Sequence, residues 1–164
     1  MDTDPDQNHT THSGRLRAFL EREGMNHDWW VRMLLKYGRA FEWSSLPKDV
    51  LAMQERCCYL NSFTLATEQP DRFVYFEGYA ALASANGWGS SHAWCIDGDG
   101  KVVDPTWANI RSAHPGGYLG MPIPLHIVEP YAYFESRGTI DGWLRERRDE
   151  MEIELPRQLG VDPI

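Results

Sequence analysis

The sequence predicts an α+β fold in which helices come first and an antiparallel sheet follows. Two observations carry that expectation. In the first half of the chain, apolar residues recur at helical spacing, as in Leu16, Phe19 and Leu20 and then Trp29, Trp30, Met33, Leu34 and Tyr37. From Arg72 to Trp107 strand formers take over, and the stretch SHAWCIDGDGKVVDPTW reads as two short apolar strands joined by a Gly/Asp turn. A length of 164 residues suits one domain with a hydrophobic core of its own.

Taken in order, residues 1–14 are polar and without periodicity, and read as a disordered leader ahead of a single domain over 15–164. A helix is predicted from Arg15 to Glu23, stopped by Gly24. A second covers Asp28 to Tyr37, capped by Asn26 or Asp28 and ended by Gly38. Arg39 to Trp43 reads as an extended linker, and Ser44 or Ser45 as the cap of a short helix with Pro47 in its first turn. The run from Cys57 to about Gln69 is the predicted central helix, closed by Pro70. Arg72 to Tyr79 is a strand, and Ala80 to Gly89 a connection of small residues. The strands of His92 and Asp104 follow. Ala108 to Gly120, rich in Gly and Pro, reads as a loop. Ile127 to Ser136 fits helix or strand, and Thr139 to about Glu152 an amphipathic helix.

Composition removes several function classes. A net charge of −8 argues against a surface that tracks phosphates, and so against nucleic acid as a partner. No stretch approaches the roughly 20 apolar residues needed to span a bilayer. The acidic N-terminus lacks the basic and apolar regions of a secretory signal. Three cysteines, two of them adjacent, make a poor disulfide framework. The expectation is a reduced, cytoplasmic protein that needs no cofactor. Nothing in the sequence sets its oligomeric state.

The chemistry is concentrated in three residues. In a tight hairpin His92 and Asp104 face each other on one side of the sheet and form an imidazole–carboxylate pair. Such a pair serves a nucleophile, and Arg56-Cys57-Cys58-Tyr59 supplies one at the predicted start of the central helix. A cysteine attacks as its thiolate, which both a helix N-terminus and a neighbouring imidazolium favour. Asp104 then orients the ring and holds its tautomer. The doublet leaves Cys57 or Cys58 as the nucleophile.

These segments resemble the transglutaminase-like branch of the papain-like cysteine enzymes. The resemblance rests on a cysteine opening a helix, on His92-Ala93-Trp94, and on Val103-Asp104-Pro105-Thr106. Small bacterial and viral proteins with Cys-Tyr-x-Asn, Glu-Gly-Tyr and His-Ala-Trp segments are similar as well, at Cys58-Tyr59-Leu60-Asn61, Glu77-Gly78-Tyr79 and His92-Ala93-Trp94. It runs from about Cys57 to Gly120, and its register favours Cys58 over Cys57. It implies a papain-like core, with the nucleophile helix packed on an antiparallel sheet, and amide cleavage, deamidation or cross-linking of a peptide or protein through a thioester. Arg56 and Tyr59 stand where such proteins often carry Gly and Trp.

Four further residues are candidates for substrate or oxyanion contacts. Gln54 lies four residues before Cys58 and could donate to an oxyanion, as glutamines do in papain-like enzymes. Asn61 shares a helix face with Cys58, where it either meets substrate or ties helix to sheet. Glu77, a carboxylate among aromatics, calls for a partner or a site role. Trp94, two residues beyond His92 on the same face, either shields the pair or packs the core; Trp29 and Trp30 form either a substrate-stacking wall or core, and Trp107 reads as a core aromatic rather than a binding platform. Cys95, on the opposite face, is a packing thiol. His9 and His12 in the leader and His114 and His126 elsewhere read as bystanders. Three classes follow: a Cys58–His92–Asp104 acyl-transfer enzyme, a non-catalytic peptide- or protein-binding member of the same fold, and a metal site on Cys57, Cys58, His92 and Asp104. The third lacks paired zinc-ligand spacing, so no metal is assigned.

Overall fold

A computed structural model describes residues 11–22, 28–85, 87–109, 115–133 and 139–164. It is an α+β fold built on a five-stranded sheet in the order β1-β5-β2-β3-β4, with every described pairing antiparallel.

The chain enters through α1 (His12–Arg22), three residues earlier than Arg15. Ser13 and Gly14 are buried, and Glu42 accepts from both the backbone N–H and the hydroxyl of Ser13. The boundary drawn at Gly14 therefore moves back, because the last leader residues close the helix against the sheet. The rest of that leader, residues 1–10 with His9, lies outside the described residues. Helix α2 (Trp29–Tyr37) starts where its cap predicts: Asp28 Oδ1 accepts the Val31 N–H at 3.1 Å. Gly38 ends it in extended backbone, and its N–H still reaches Leu34 O.

The predicted linker is an edge strand, β1 (Arg39–Glu42). No helix forms between it and α3 (Cys58–Glu68), contrary to the Ser44–Pro47 reading. The reason lies in the partners: the Ser44 hydroxyl donates to Val102 O instead of capping, and Asp49 is held by Arg72 at 2.5 and 2.9 Å. Strand β2 (Phe73–Leu82) swallows the start of the supposed connection, leaving only a 3-10 turn at Ala83–Ala85 before β3 (Gly89–Asp97). Strand β4 is just Val102–Val103.

The largest departure is β5 (Pro115–Pro122), which stands inside the sheet between β1 and β2 although its composition reads as loop. Its glycines are there for close approach. A Cβ on Gly120 would lie 2.4 Å from the Trp94 ring, and one on Gly78, its partner in β2, would lie 2.1 Å from Leu119 O. After β5 come α4 (Leu125–Val128), which starts two residues before the ambiguous stretch and overlaps only its beginning, and α5 (Thr139–Leu159), which runs past the predicted end and through Pro156.

Side chains alternate across the strands, so the sheet carries two clusters. On one face Tyr75, Cys95 and Leu119 meet Leu16 and Leu20 of α1, Met33 and Leu34 of α2, Phe63 and Leu65 of α3, and Met151 and Leu155 of α5. On the other, Phe76, Ala80, Trp94, Ile96, Val102 and Tyr118 pack with Phe41 and Trp107. The sheet curls around this second cluster, and the Ser44–Val102 bond joins the chain just past edge strand β1 to edge strand β4.

Candidate functional site

The site forms where the curl opens. Met53 donates its N–H to Pro105 O at 2.9 Å, which draws the segment before α3 against the turn after β4. Arg56 then adopts φ +64°, a left-handed conformation that only tight turning requires of a side-chain-bearing residue. Cys57 is the N-cap and makes no side-chain capping bond, so Cys58 is the first residue of α3. There it stands beside the first backbone N–H groups, which have no partners within a helix.

The Cys58 thiol lies close enough to the His92 ring to favour its charged form. His92 Nε2 lies 2.8 Å from Asp104 Oδ2, so Nδ1 is the ring nitrogen that the carboxylate does not engage. The pairing arises differently from the expectation of directly facing residues. Cys95 pairs with Val103 and Ile96 with Val102, a register that sets Asp104 opposite Trp94. Asp104 is thus a diagonal neighbour of His92 on the same face, still within reach of a long ring. The offset comes from the turn: Asp97 N–H bonds Lys101 O, and Gly100 takes φ +78°.

Asp104 is fully engaged. Its Oδ1 accepts the N–H groups of Thr106 at 3.0 Å and Trp107 at 3.1 Å, and its Oδ2 also accepts the Tyr118 hydroxyl at 3.0 Å. Burial alone would raise this carboxyl's pKa; the His92 charge and these donors hold it below the ordinary value. For His92 burial works against the charged ring, yet Asp104 and then Cys58 outweigh it and raise the pKa to about 10. The ring is packed among aromatics, with Trp107 at 4.2 Å between centroids and Trp94 stacked at 6.4 Å. Such an arrangement can hold an imidazolium out of water between a sulfur and a carboxylate.

The other predicted residues fall elsewhere. Asn61 is buried, with its amide donating to Gln54 O at 2.7 Å and Thr106 Oγ1 at 2.9 Å, so it ties helix to turn and has no N–H left for an oxyanion. Glu77 is buried in β2, accepts the Tyr75 hydroxyl at 2.8 Å, and points to the helix-covered face, away from His92. Trp94 is fully buried as the floor of the inner cluster and offers no surface to a substrate. Gln54 is exposed on the segment entering α3; its backbone carbonyl, rather than its side chain, is engaged by Asn61. Trp29 and Trp30 are core residues. Cys95 is buried, donates to Ser62 O at 3.3 Å, and has its thiol pushed up by burial. His126 is exposed, and His114 lies outside the described residues.

Sequence reasoning missed Tyr118, which was hidden in the stretch read as loop, and the tilted packing of Trp107 against His92. A period-two reading of Tyr118 against Gly116 and Gly120 was the available signal. Among the described residues, no group of three or more His, Cys, Asp or Glu is arranged to hold a metal ion, so Cys57, Cys58, His92 and Asp104 do not gather as ligands. No helix among them is long and apolar enough to cross a membrane. Comparison with family models, with curated proteins and with solved structures finds no match to this chain.

Proposed function

We propose that this protein is a cysteine-dependent acyl-transfer enzyme acting on amides of a peptide or protein, with a core of the papain-like, transglutaminase-like kind. The observation that carries the reading is a buried imidazole bonded to the carboxylate of Asp104, with the thiol of Cys58 near enough to favour its charged form. A core histidine needs only one partner to be satisfied. This one has a sulfur on one side and, on the other, a carboxylate that is itself fixed by three further donors.

In the proposed reaction Cys58 Sγ attacks the substrate carbonyl carbon, and the C–O double bond opens to an oxyanion. Backbone N–H groups at the start of α3 stabilise it, with the exposed Gln54 side chain as a further donor. The C–N bond then breaks as the His92 imidazolium gives its proton to the leaving nitrogen, which departs as an amine or ammonia and leaves a thioester. Water or a second amine attacks that thioester, His92 takes the incoming proton, and an acid or a new amide is released. Asp104 stays ionised throughout and steadies the ring.

The test is acylation itself. Incubation with an activated ester such as p-nitrophenyl acetate is expected to release nitrophenol in a burst and to add one acetyl group to Cys58, located by peptide mass mapping. A protein that forms no adduct there, or forms it equally without His92, would be a binder of the same fold and not an enzyme.

A further inference from the structure

We infer that Tyr118 is a positioning residue of the proposed site, its hydroxyl holding Asp104 turned toward His92 and ionised. The inference rests on the acyl-transfer reading and adds a fourth member to its relay.

The argument begins with topology. Strand β5, which carries Tyr118, is separated from β4 by β2 and β3, so along the sheet the two lie far apart. Tyr118 pairs with Ala80 on one side and Phe41 on the other, and its ring lies 5.0 Å from Trp94 in the inner cluster. From there the phenol crosses the interior of the curl to reach Asp104 Oδ2, the same oxygen that faces His92. Filling the interior would need only the ring. The hydroxyl, completely buried, finds its acceptor in the one carboxylate that orients the imidazole.

That bond acts on charge. Asp104 is faced by His92 from β3, by Tyr118 from β5, by the N–H groups of Thr106 and Trp107 from the turn after β4, and by Cys58 of α3 through the His92 ring. Cys95, on the other face of β3, feels the same carboxylate. Burial drives Asp104 toward protonation, and Tyr118 is one of the donors opposing it. Protonated, Asp104 would no longer hold a charged His92, and Cys58 would lose its counter-ion.

The experiment is the pH profile of Cys58 alkylation by iodoacetamide in the wild type and in Tyr118→Phe, which keeps the ring and removes only the hydroxyl. The acid limb is expected to move to higher pH by about one unit, giving roughly tenfold slower alkylation on the limb, as one hydrogen bond to a charged group implies. Above the limb the two proteins should agree within about twofold, and in an Asp104→Asn background Tyr118→Phe should move nothing. Biosynthetic replacement of tyrosine by 3-fluorotyrosine, a stronger donor in a ring of nearly the same shape, should move the limb the opposite way. It decides the matter should Tyr118→Phe fail to fold. A limb that moves in neither protein means that the tyrosine only fills space, while the Cys58 reading stands. A wild type without rapid alkylation in acid overturns both.

Discussion

The two faces of the sheet are built from similar residues and do different things. The helix-covered face is a large apolar cluster in which each fully buried Leu or Phe contributes about 1.5–3 kcal/mol by leaving water. Its cysteine, Cys95, is sealed and bonded to a backbone carbonyl, with its thiol pushed up by burial. The inner face is small, aromatic and curled, and it holds His92, Asp104 and Tyr118 in one hydrogen-bonded chain beside Cys58. Two cysteines 37 positions apart thus meet opposite environments. The comparison teaches that in this fold the polar groups of the site are gathered on one side of the sheet, while the other side is mostly apolar, its Glu77–Tyr75 pair aside.

Substitution should break that contrast most sharply on the inner side. His92→Ala is expected to lower Cys58 alkylation and any acyl transfer by about 10²–10⁴-fold, the range a positioned acid–base group supplies. Intact-mass kinetics would read the change. A smaller loss, about 10–100-fold, is expected for Asp104→Asn, because the ring is weakened rather than removed and a charged hydrogen bond is worth roughly 1.5–3 kcal/mol.

The same pair gives the inner face a pH signature that the outer face lacks. His92 is raised from an ordinary value of 6.5 to about 10, so its stabilising share is complete below 6.5 and fades as pH rises through about 10. Asp104 is lowered from 3.8, so its share is present above that value and fades as pH falls through the folded one. The Tm gap between wild type and Asp104→Asn should therefore be widest from about pH 4 to 6.5 and narrow toward pH 10. A gap that widens on the alkaline side would contradict the charged pair.

Cys95→Ala sharpens the comparison from the other side. It should leave alkylation of Cys58 unchanged while lowering Tm by about 2–4 °C, as loss of a buried sulfur costs on the order of 1 kcal/mol. Smallest of all is Cys57→Ala. As an N-cap with no side-chain bond, Cys57 should be replaceable with little change in either rate or Tm.

What could be read in the sequence follows the same division. Helix α2 was plain because its stripe, its Asp28 cap and Gly38 agree with one another. The hairpin of His92 and Asp104 was plain because direct pairing, or any shift by an even number of residues, puts both on one face, and the observed shift of two residues did not separate them. Local signals failed where distant contacts decide. Glycines 116, 117 and 120 read as loop, yet Gly120 lies in a central strand because the Trp94 ring needs its space. Tyr118 was lost with that strand. Asn61, Glu77 and Trp94 were placed correctly on helix and strand, but whether a polar or aromatic side chain meets solvent or another buried group depends on partners such as Thr106 and Tyr75 that lie elsewhere in the chain.

The central claim is that Cys58 alone among the cysteines is an activated thiol. The direct measurement is intact mass and peptide mapping after brief exposure to iodoacetamide at about pH 5.5, where ordinary thiols with pKa near 8.5 react slowly. The account predicts one rapid adduct, on Cys58, that Cys58→Ala and His92→Ala abolish and Cys57→Ala and Cys95→Ala leave in place. A fast adduct on Cys57, or no cysteine faster than a free thiol, would contradict it.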